Sequence, residues 1–426
     1  MSRVLIWKRV APGSENAIFT PTDYDHLYTL AINNWGGACP NWGNKLWIQG
    51  IYSEIDTGEN TYGFLPEVID ADQINQEYDF IIFPMANIFN QDYLHMIRAT
   101  ADHLEKIRIP VYIIACGAQA DRYEDLPDLV DAIGDESKRF IKAVYNTGGE
   151  FALRGYFTKE FFDRLGFPSA VVTGCPSLYQ LGRDFRVAED KCNVCDLYPV
   201  FNGRISQFSK LMQVFPESAF MDQDQLFFAL LKPDYLEQTD FRFQANFAKM
   251  YGLDTPELIS QGRIVMATDM DDWLGYLKER GFNYAFGSRI HGTIMALLSG
   301  IPATIAACDT RTREMAEFFD IPQTVAESRY KPNEDVLYKA YEQMDYNPFN
   351  RTFSEKFDAF EQFLKKHGIV SHINCDNRFF TNKKPEVITA SPERRAQFSQ
   401  LAERMERNRA AIELANLARN VLGRIR

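Results

Sequence analysis

Residues 282–322, FNYAFGSRIHGTIMALLSGIPATIAACDTRTREMAEFFDIP, are compatible with few local structures. The apolar run Tyr284–Phe286 leads into Gly287-Ser288 and reads as a strand. Ile290, Ile294, Leu297 and Leu298 then recur at helical spacing on one face. Gly300 followed by Pro302 stops that helix. Ala303–Ala307 fits a short buried strand, and Asp309 opens a turn ahead of a charged helix start. Arg289 and His291 therefore fall where a strand ends and a helix begins. In open α/β sheets that edge is the usual ligand site. The helix start adds free N–H groups and a positive dipole end, which suit an anion.

The same alternation runs through the chain. Val4–Trp7, Asp79–Phe83, Val111–Ala115, Phe151–Leu153, Ala170–Thr173, Tyr198–Phe201 and Ile264–Ala267 read as strands. Asp92–Lys106, Leu126–Ala143, Thr158–Leu165 and Asp271–Arg280 read as helices. Strands separated by helices make mostly parallel sheets, so the chain is α/β. Its 426 residues exceed one ordinary core, and two domains are expected. We place the first at 1–185 and the second, with Arg289 and His291, at 186–345. A connecting segment, 346–390, and a helical tail, 391–426, follow. Residues 204–262 give no sharp motif. Asn41-Trp42-Gly43-Asn44 is a glycine-containing turn ahead of a helix-like run, Lys45–Ile55. Such a turn is a substrate- or anion-binding arrangement in principle. Arg154 lies at the exit of the Phe151–Leu153 strand.

Charge limits the partners. The net charge of −12 argues against a broad nucleic-acid footprint, so an anionic ligand must be met by a local cluster of Arg and His. No stretch supplies the roughly 18–20 apolar residues of a membrane span. Thr293–Cys308 comes nearest and is broken by Gly300 and Pro302. Met1-Ser2-Arg3 leads directly into a strand without a signal-peptide pattern, and the seven cysteines are scattered, so a cytoplasmic location is expected. Cys192 and Cys195 form a single CxxC with no second pair, and no metal is expected there. The tail differs in charge. From Ser391 on it carries eight Arg and four Glu, which leaves −16 on the rest. Phe398, Leu401, Met405, Ile412, Leu414, Leu417 and Val421 give it a broken apolar stripe. That stripe is expected to pack on the protein's own domains or on a second copy in a homo-oligomer. Contact with an anionic membrane at the inner face is the alternative.

The pattern Gly287-Ser288-Arg289-Ile290-His291-Gly292, Ala296-Leu297, Gly300-Ile301-Pro302, then Asp309, Arg311 and Glu314, resembles the polysaccharide pyruvyl transferase family. The whole GxRxHxxxxALxxGxP spacing matches. Two further segments agree in order. Asn41–Asn44 looks like the family's N-terminal turn. Phe151–Arg154 with Val172–Ser177 looks like its central segment. Three positions depart from the pattern. Asn44 stands where many members have Asp, Gly155 follows Arg154 where Asp is common, and Cys175 precedes Pro176 where Asp is frequent. No carboxylate chemistry is expected from these positions.

The resemblance implies a GT-B-like fold of two Rossmann-like domains with the site in the cleft between them. It implies transfer of pyruvate from phosphoenolpyruvate onto two hydroxyls of a saccharide, free or lipid-linked, to form a cyclic ketal. No cofactor is implied. Arg289 is the expected anion clamp, with Arg154 a second clamp from across the cleft, because guanidinium forks suit carboxylate and phosphate. His291 is the candidate for acid–base work or for holding the phosphate, since an imidazole titrates near ~6.5. Glu314 is a second catalytic candidate, able to accept a hydroxyl proton. Asn41, Gly43, Asn44 and Asp309 are candidate substrate contacts. Two alternatives stay open: a nucleotide-sugar glycosyltransferase on the same fold, and a non-catalytic glycan- or partner-binding protein.

Overall fold

The computed structural model describes residues 2–7, 41, 43, 46–48, 50–51, 60–66, 68–188, 191–223, 232, 234–267, 270–325, 330–369 and 384–422. Asn44 and Trp42, from the expected N-terminal turn, lie outside the described residues.

Two parallel six-stranded sheets organise the chain. The first contains β1 (Arg3–Ile6), β2 (Thr61–Phe64), β3 (Phe80–Pro84), β4 (Val111–Cys116), β5 (Glu150–Leu153) and β6 (Val171–Val172). Their spatial order is β2-β1-β3-β4-β5-β6. The second contains β7 (Pro199–Asn202), β8 (Ala219–Asp222), β9 (Ile264–Met266), β10 (Tyr284–Gly287), β11 (Ala303–Ala307) and β12 (Gln323–Val325). Its order is β12-β11-β10-β7-β8-β9. Read from the β9 edge with β7 as its first strand, that is the 3-2-1-4-5-6 order of a Rossmann sheet. The inner strands are apolar because both of their faces are covered, whereas the edge strands β2, β6 and β12 are partly exposed. FIIFP in β3 and VYIIAC in β4 are buried at every position.

The order reverses between β1 and β3 in one sheet and between β7 and β10 in the other. Ligands bind outside the carboxyl ends of strands at such reversals. Those ends carry Asn87 just past β3, Asn202 at the end of β7, and Arg289 and His291 just past β10.

The helices used below are α1 (Ala71–Glu77), α2 (Leu94–Leu104), α3 (Leu126–Asn146), α4 (Tyr156–Arg164), α5 (Phe241–Tyr251), α6 (Thr255–Ser260), α7 (Met270–Arg280), α8 (Ile290–Leu298), α9 (Thr310–Phe319), α10 (Glu334–Glu342), α11 (Asn347–Lys366), α12 (Pro392–Arg407) and α13 (Arg409–Leu422). The expected one-sided face on α8 is too narrow a description. All nine of its residues are buried, because β10, β11 and α7 enclose it.

α11 runs back from the second sheet to the first. Phe353, Phe357 and Phe360 surround the buried ring of Tyr179. At its end Lys366 Nζ donates to Glu150 Oε1 of β5 at 2.6 Å, and His367 lies 3.2 Å from the same carboxylate. The tail packs on its own chain. α12 covers α6, and α13 covers α5. Phe398, Leu401, Met405 and Ile412 are buried, whereas Leu414 and Leu417 are exposed. Arg409 pairs with Asp254 at 3.0 Å, and Asn408 donates to Gln244 Oε1 at 2.9 Å. Among the described residues no helix is long and apolar enough to cross a membrane.

Candidate active site

The β10–α8 turn is built by close approach to Asn202. Asn202 Oδ1 accepts from Arg289 N at 3.2 Å, and Asn202 O accepts from Ser288 N at 3.0 Å. A Cβ at Gly287 or Gly292 would lie 2.4 or 2.5 Å from Asn202 Cγ, nearer than any side chain tolerates. Ser288 Oγ donates to Gln207 Oε1 at 2.8 Å and ties the turn from its other side. Arg289 becomes the N-cap residue of α8, and His291 sits in its first turn. The cap side chain makes no bond to the helix start, so its guanidinium can reach the pocket instead.

Arg154 comes from the first sheet. Its backbone N–H donates to Cys116 O at 2.9 Å, and the residue is only 1% exposed. Among the described residues, Nε and Nη2 of Arg154 have no hydrogen-bond partner, and neither has His291 Nε2 nor Arg311 Nε. Arg311 Nη2 donates to Asp309 Oδ2 at 3.0 Å, and Asp309 caps α9 by accepting from Thr312 N at 2.8 Å.

One pocket at the facing sheet edges is lined by Asn41, Asn87, Arg154, Gln223, Arg289, Ile290, His291 and Arg311. Asn41 Oδ1 accepts from Gly43 N at 3.0 Å and from Gln223 Nε2 at 3.3 Å. A Cβ on Gly43 would come within 3.0 Å of His291 Cβ, which places the N-terminal turn directly on the helix start. Asn87 Nδ2 donates to Gln119 Oε1.

The electrostatics are one-sided. Burial, then the charges of Arg154, Arg311 and Arg289, hold the His291 imidazole well below its ordinary pKa and therefore neutral. Burial also works against the charge on Arg154, with Arg311 adding to the effect. Burial would raise Asp309, but Arg311 and the Thr312 N–H outweigh it and keep this carboxyl below its usual range. Three guanidiniums and a neutral imidazole thus face the pocket, with Asp309 acting on Arg311 and Arg289 and the buried Glu314 acting on Arg154.

The sequence-expected residues divide into two groups. Arg289, His291, Arg154 and Asn41 line the pocket, with Gly43 behind His291 and Asp309 anchoring Arg311. Glu314 is fully buried and engaged elsewhere. Its Oε2 accepts from Thr158 N and its Oε1 from Thr158 Oγ1, both at 2.9 Å. Burial pushes its carboxyl up to about 8. Arg311, Asn87, Asn202 and Gln223 join the site without being expected there from sequence. Arg311 stands inside the family motif, and Asn87 and Asn202 stand at strand exits. Gln223 follows β8, a four-residue strand inside the stretch that shows no motif.

Among the described residues no group of His, Cys, Asp and Glu is placed to hold a metal ion. A search of curated proteins found no match to this chain. Among solved structures, the chain is similar to the glycosyltransferase SnogD from Streptomyces nogalater at 11% identity and a TM-score of 0.33, over 86% of this chain and 100% of that one. That likeness is too slight to carry an argument. The profile of the family described as polysaccharide pyruvyl transferase matches residues 7–310, well over half of the sequence, and the chain belongs to that family of transferases.

Proposed function

We propose that the pocket binds phosphoenolpyruvate and that the protein transfers its pyruvyl group to two hydroxyls of a saccharide. The observation that carries this reading is Arg154: a buried guanidinium with two nitrogens unpartnered among the described residues, beside Arg289, Arg311 and a neutral His291. Buried N–H donors without acceptors are costly to leave unmet. A ligand with a carboxylate and a phosphate supplies such acceptors.

The reaction then needs little beyond this set. A proton adds to the methylene carbon of the enol, leaving cationic character on the carbon that bears the phosphate. One acceptor hydroxyl attacks that carbon, phosphate departs, and the second hydroxyl closes the ketal. Of the two hydroxyl protons, one replaces the proton given to the methylene and the other leaves with phosphate. The guanidiniums hold the carboxylate and stabilise the departing phosphate. His291 enters neutral. An arriving phosphate dianion opposes the repulsion from the three guanidiniums, raises the imidazole pKa and lets it take up a proton. It then has a proton to give at Nε2 and can recover one from a hydroxyl. Asn41, Gln223 and Asn87 supply the neutral polar groups for hydroxyl recognition.

The test is acceptor-dependent phosphate release from phosphoenolpyruvate across a panel of saccharides, with calorimetric donor binding measured separately. Donor binding below millimolar together with release that depends on a saccharide is the expected result. No release with any acceptor, and no donor binding, would reject the reading.

A further inference from the structure

Glu314 caps a helix in the other domain. α4 begins after Gly155, which has no side chain with which to cap it, and Thr158 is the third residue of the helix. Its N–H, one of the four orphan donors of a helix start, is met by Glu314 Oε2 at 2.9 Å. The Thr158 hydroxyl donates to Glu314 Oε1 at 2.9 Å while accepting from Ala118 N at 2.8 Å. The fit is close: a Cβ on Gly155 would lie 2.9 Å from Glu314 Cβ. Gly155 is the residue after Arg154, so the Glu314 carboxyl group grips the turn that carries the buried guanidinium.

The grip is part of a longer contact. Thr310, Glu314 and Glu317 share one face of α9, at positions i, i+4 and i+7. Thr310 N donates to Ala120 O at 3.2 Å, and Thr310 Oγ1 accepts from Ala120 N at 2.9 Å. Tyr123 Oη donates to Glu317 Oε2 at 2.6 Å, and the Arg313 guanidinium lies 4.2 Å over the Tyr123 ring. The start of the same helix carries Arg311 to the pocket, held there by Asp309.

We propose that Glu314 is a positioning residue: by capping α4 across the domain boundary, it fixes the Arg154 turn against Arg289, His291 and Arg311 and so assembles the anion site. The proposal rests on reading the pocket as an anion site. Its first consequence concerns the domain contact, and only its second concerns the ligand.

The test uses the full chain with the variants Glu314→Ala, Glu314→Gln and Thr158→Val. The readouts are calorimetric binding of phosphoenolpyruvate and of inorganic phosphate, and amide hydrogen exchange at residues 154–158 without ligand. Glu314→Ala should speed exchange at Thr158 and weaken both anions roughly tenfold, about the value of a lost cap bond. Glu314→Gln should recover most of that loss, because its amide oxygen still accepts from Thr158 N and its NH2 can donate to Thr158 Oγ1. Thr158→Val should fall between the two, and it carries the test should Glu314→Ala fail to fold. Unchanged anion affinity with only a lower Tm would make Glu314 merely structural and overturn the proposal. An equal loss in Glu314→Gln and Glu314→Ala would also overturn it, by pointing to the charge rather than the cap. A wild type that binds neither anion would reject the donor reading itself, while unchanged exchange at Thr158 in Glu314→Ala would reject the clasp whatever the ligand does.

Discussion

The two sheet edges that meet at the pocket are built by different means. On the second sheet, Arg289 and His291 are placed mainly by neighbours within the same βαβ unit and by Asn202 and Gln207 at and after the adjacent strand. Asn202 bonds the turn through its backbone and side chain, and Gly287 and Gly292 let it approach. On the first sheet, Arg154 has no such frame. Its surroundings come from an irregular strand and from α9, which follows a strand of the second sheet. β4 and β5 slip register between Ile113 and Cys116, with Ala115 at a left-handed φ of 65°. Glu314 supplies the cap for the following helix. One edge is therefore preorganised locally, whereas the other depends on tertiary contact. The locally built edge carries His291, and the remotely built edge carries a buried guanidinium.

The sharpest way to break this contrast is to remove one functional group from each edge. His291→Ala should lower turnover about a thousandfold while the protein stays folded, the usual loss for an acid–base group. Steady-state phosphate release checks it, and near-normal rates would remove His291 from the chemistry. Arg154→Met should weaken phosphoenolpyruvate about a hundredfold and, at the same time, raise Tm. A buried guanidinium short of hydrogen bonds costs stability, and an apolar side chain of similar volume relieves that cost. Calorimetry and thermal unfolding on the same samples check it. A variant that loses affinity and stability together would mean that the guanidinium is paired within the free protein. Arg289→Lys, on the local edge, should weaken the donor by roughly tenfold through loss of the bidentate fork, with Tm nearly unchanged because Arg289 is only partly buried.

The glycine packing of the local edge gives a stability counterpart. Gly292→Ala places a methyl 2.5 Å from Asn202 Cγ and forces the two strands' exits apart. Overpacking of this kind costs about 1–3 kcal/mol. Denaturant unfolding should show that loss, accompanied by weaker donor binding, since Arg289 N loses its acceptor. A Gly292→Ala protein as stable as wild type would mean that the turn is adaptable rather than fixed.

The same contrast explains what can be read from the sequence. Arg289 and His291 lie close together, and their placement follows from strand, glycine and helix signals within one segment. Arg289 and His291 are therefore legible from that segment alone. The alternation of strands and helices also marks the α/β class, and the apolar stripe of the tail finds partners on α5 and α6. Arg154 is legible as a strand exit, but its isolation is not, because burial to 1% exposure is set by residues far away in sequence. Glu314 stands out for its carboxyl, while its partner, Thr158, lies 156 positions away and carries no signal pointing to it. β8 and Gln223 escape the sequence for another reason. A buried four-residue strand has neither alternation nor length to mark it.

The smallest expected effect separates the two supports of the remote edge. Ala115 sits at φ 65°, where a Cβ is crowded and glycine is not. Ala115→Gly relieves that crowding, worth about 1 kcal/mol, and loosens the unfolded chain by a similar amount. The net change in stability should therefore stay within about 1 kcal/mol. Donor affinity is the informative readout. If the cap from Glu314 sets the Arg154 turn, glycine at 115 leaves affinity within about twofold of wild type, since the bulge keeps its shape and only its cost changes. If instead the bulge sets the turn, a freer backbone at 115 lets Cys116 O drift from Arg154 N, and affinity falls as far as it does in Glu314→Ala. Calorimetry on the two single variants and on the double variant decides between them. Additive losses would assign both supports a share, and a silent Ala115→Gly beside an impaired Glu314→Ala would assign the placement of Arg154 to the contact with α9.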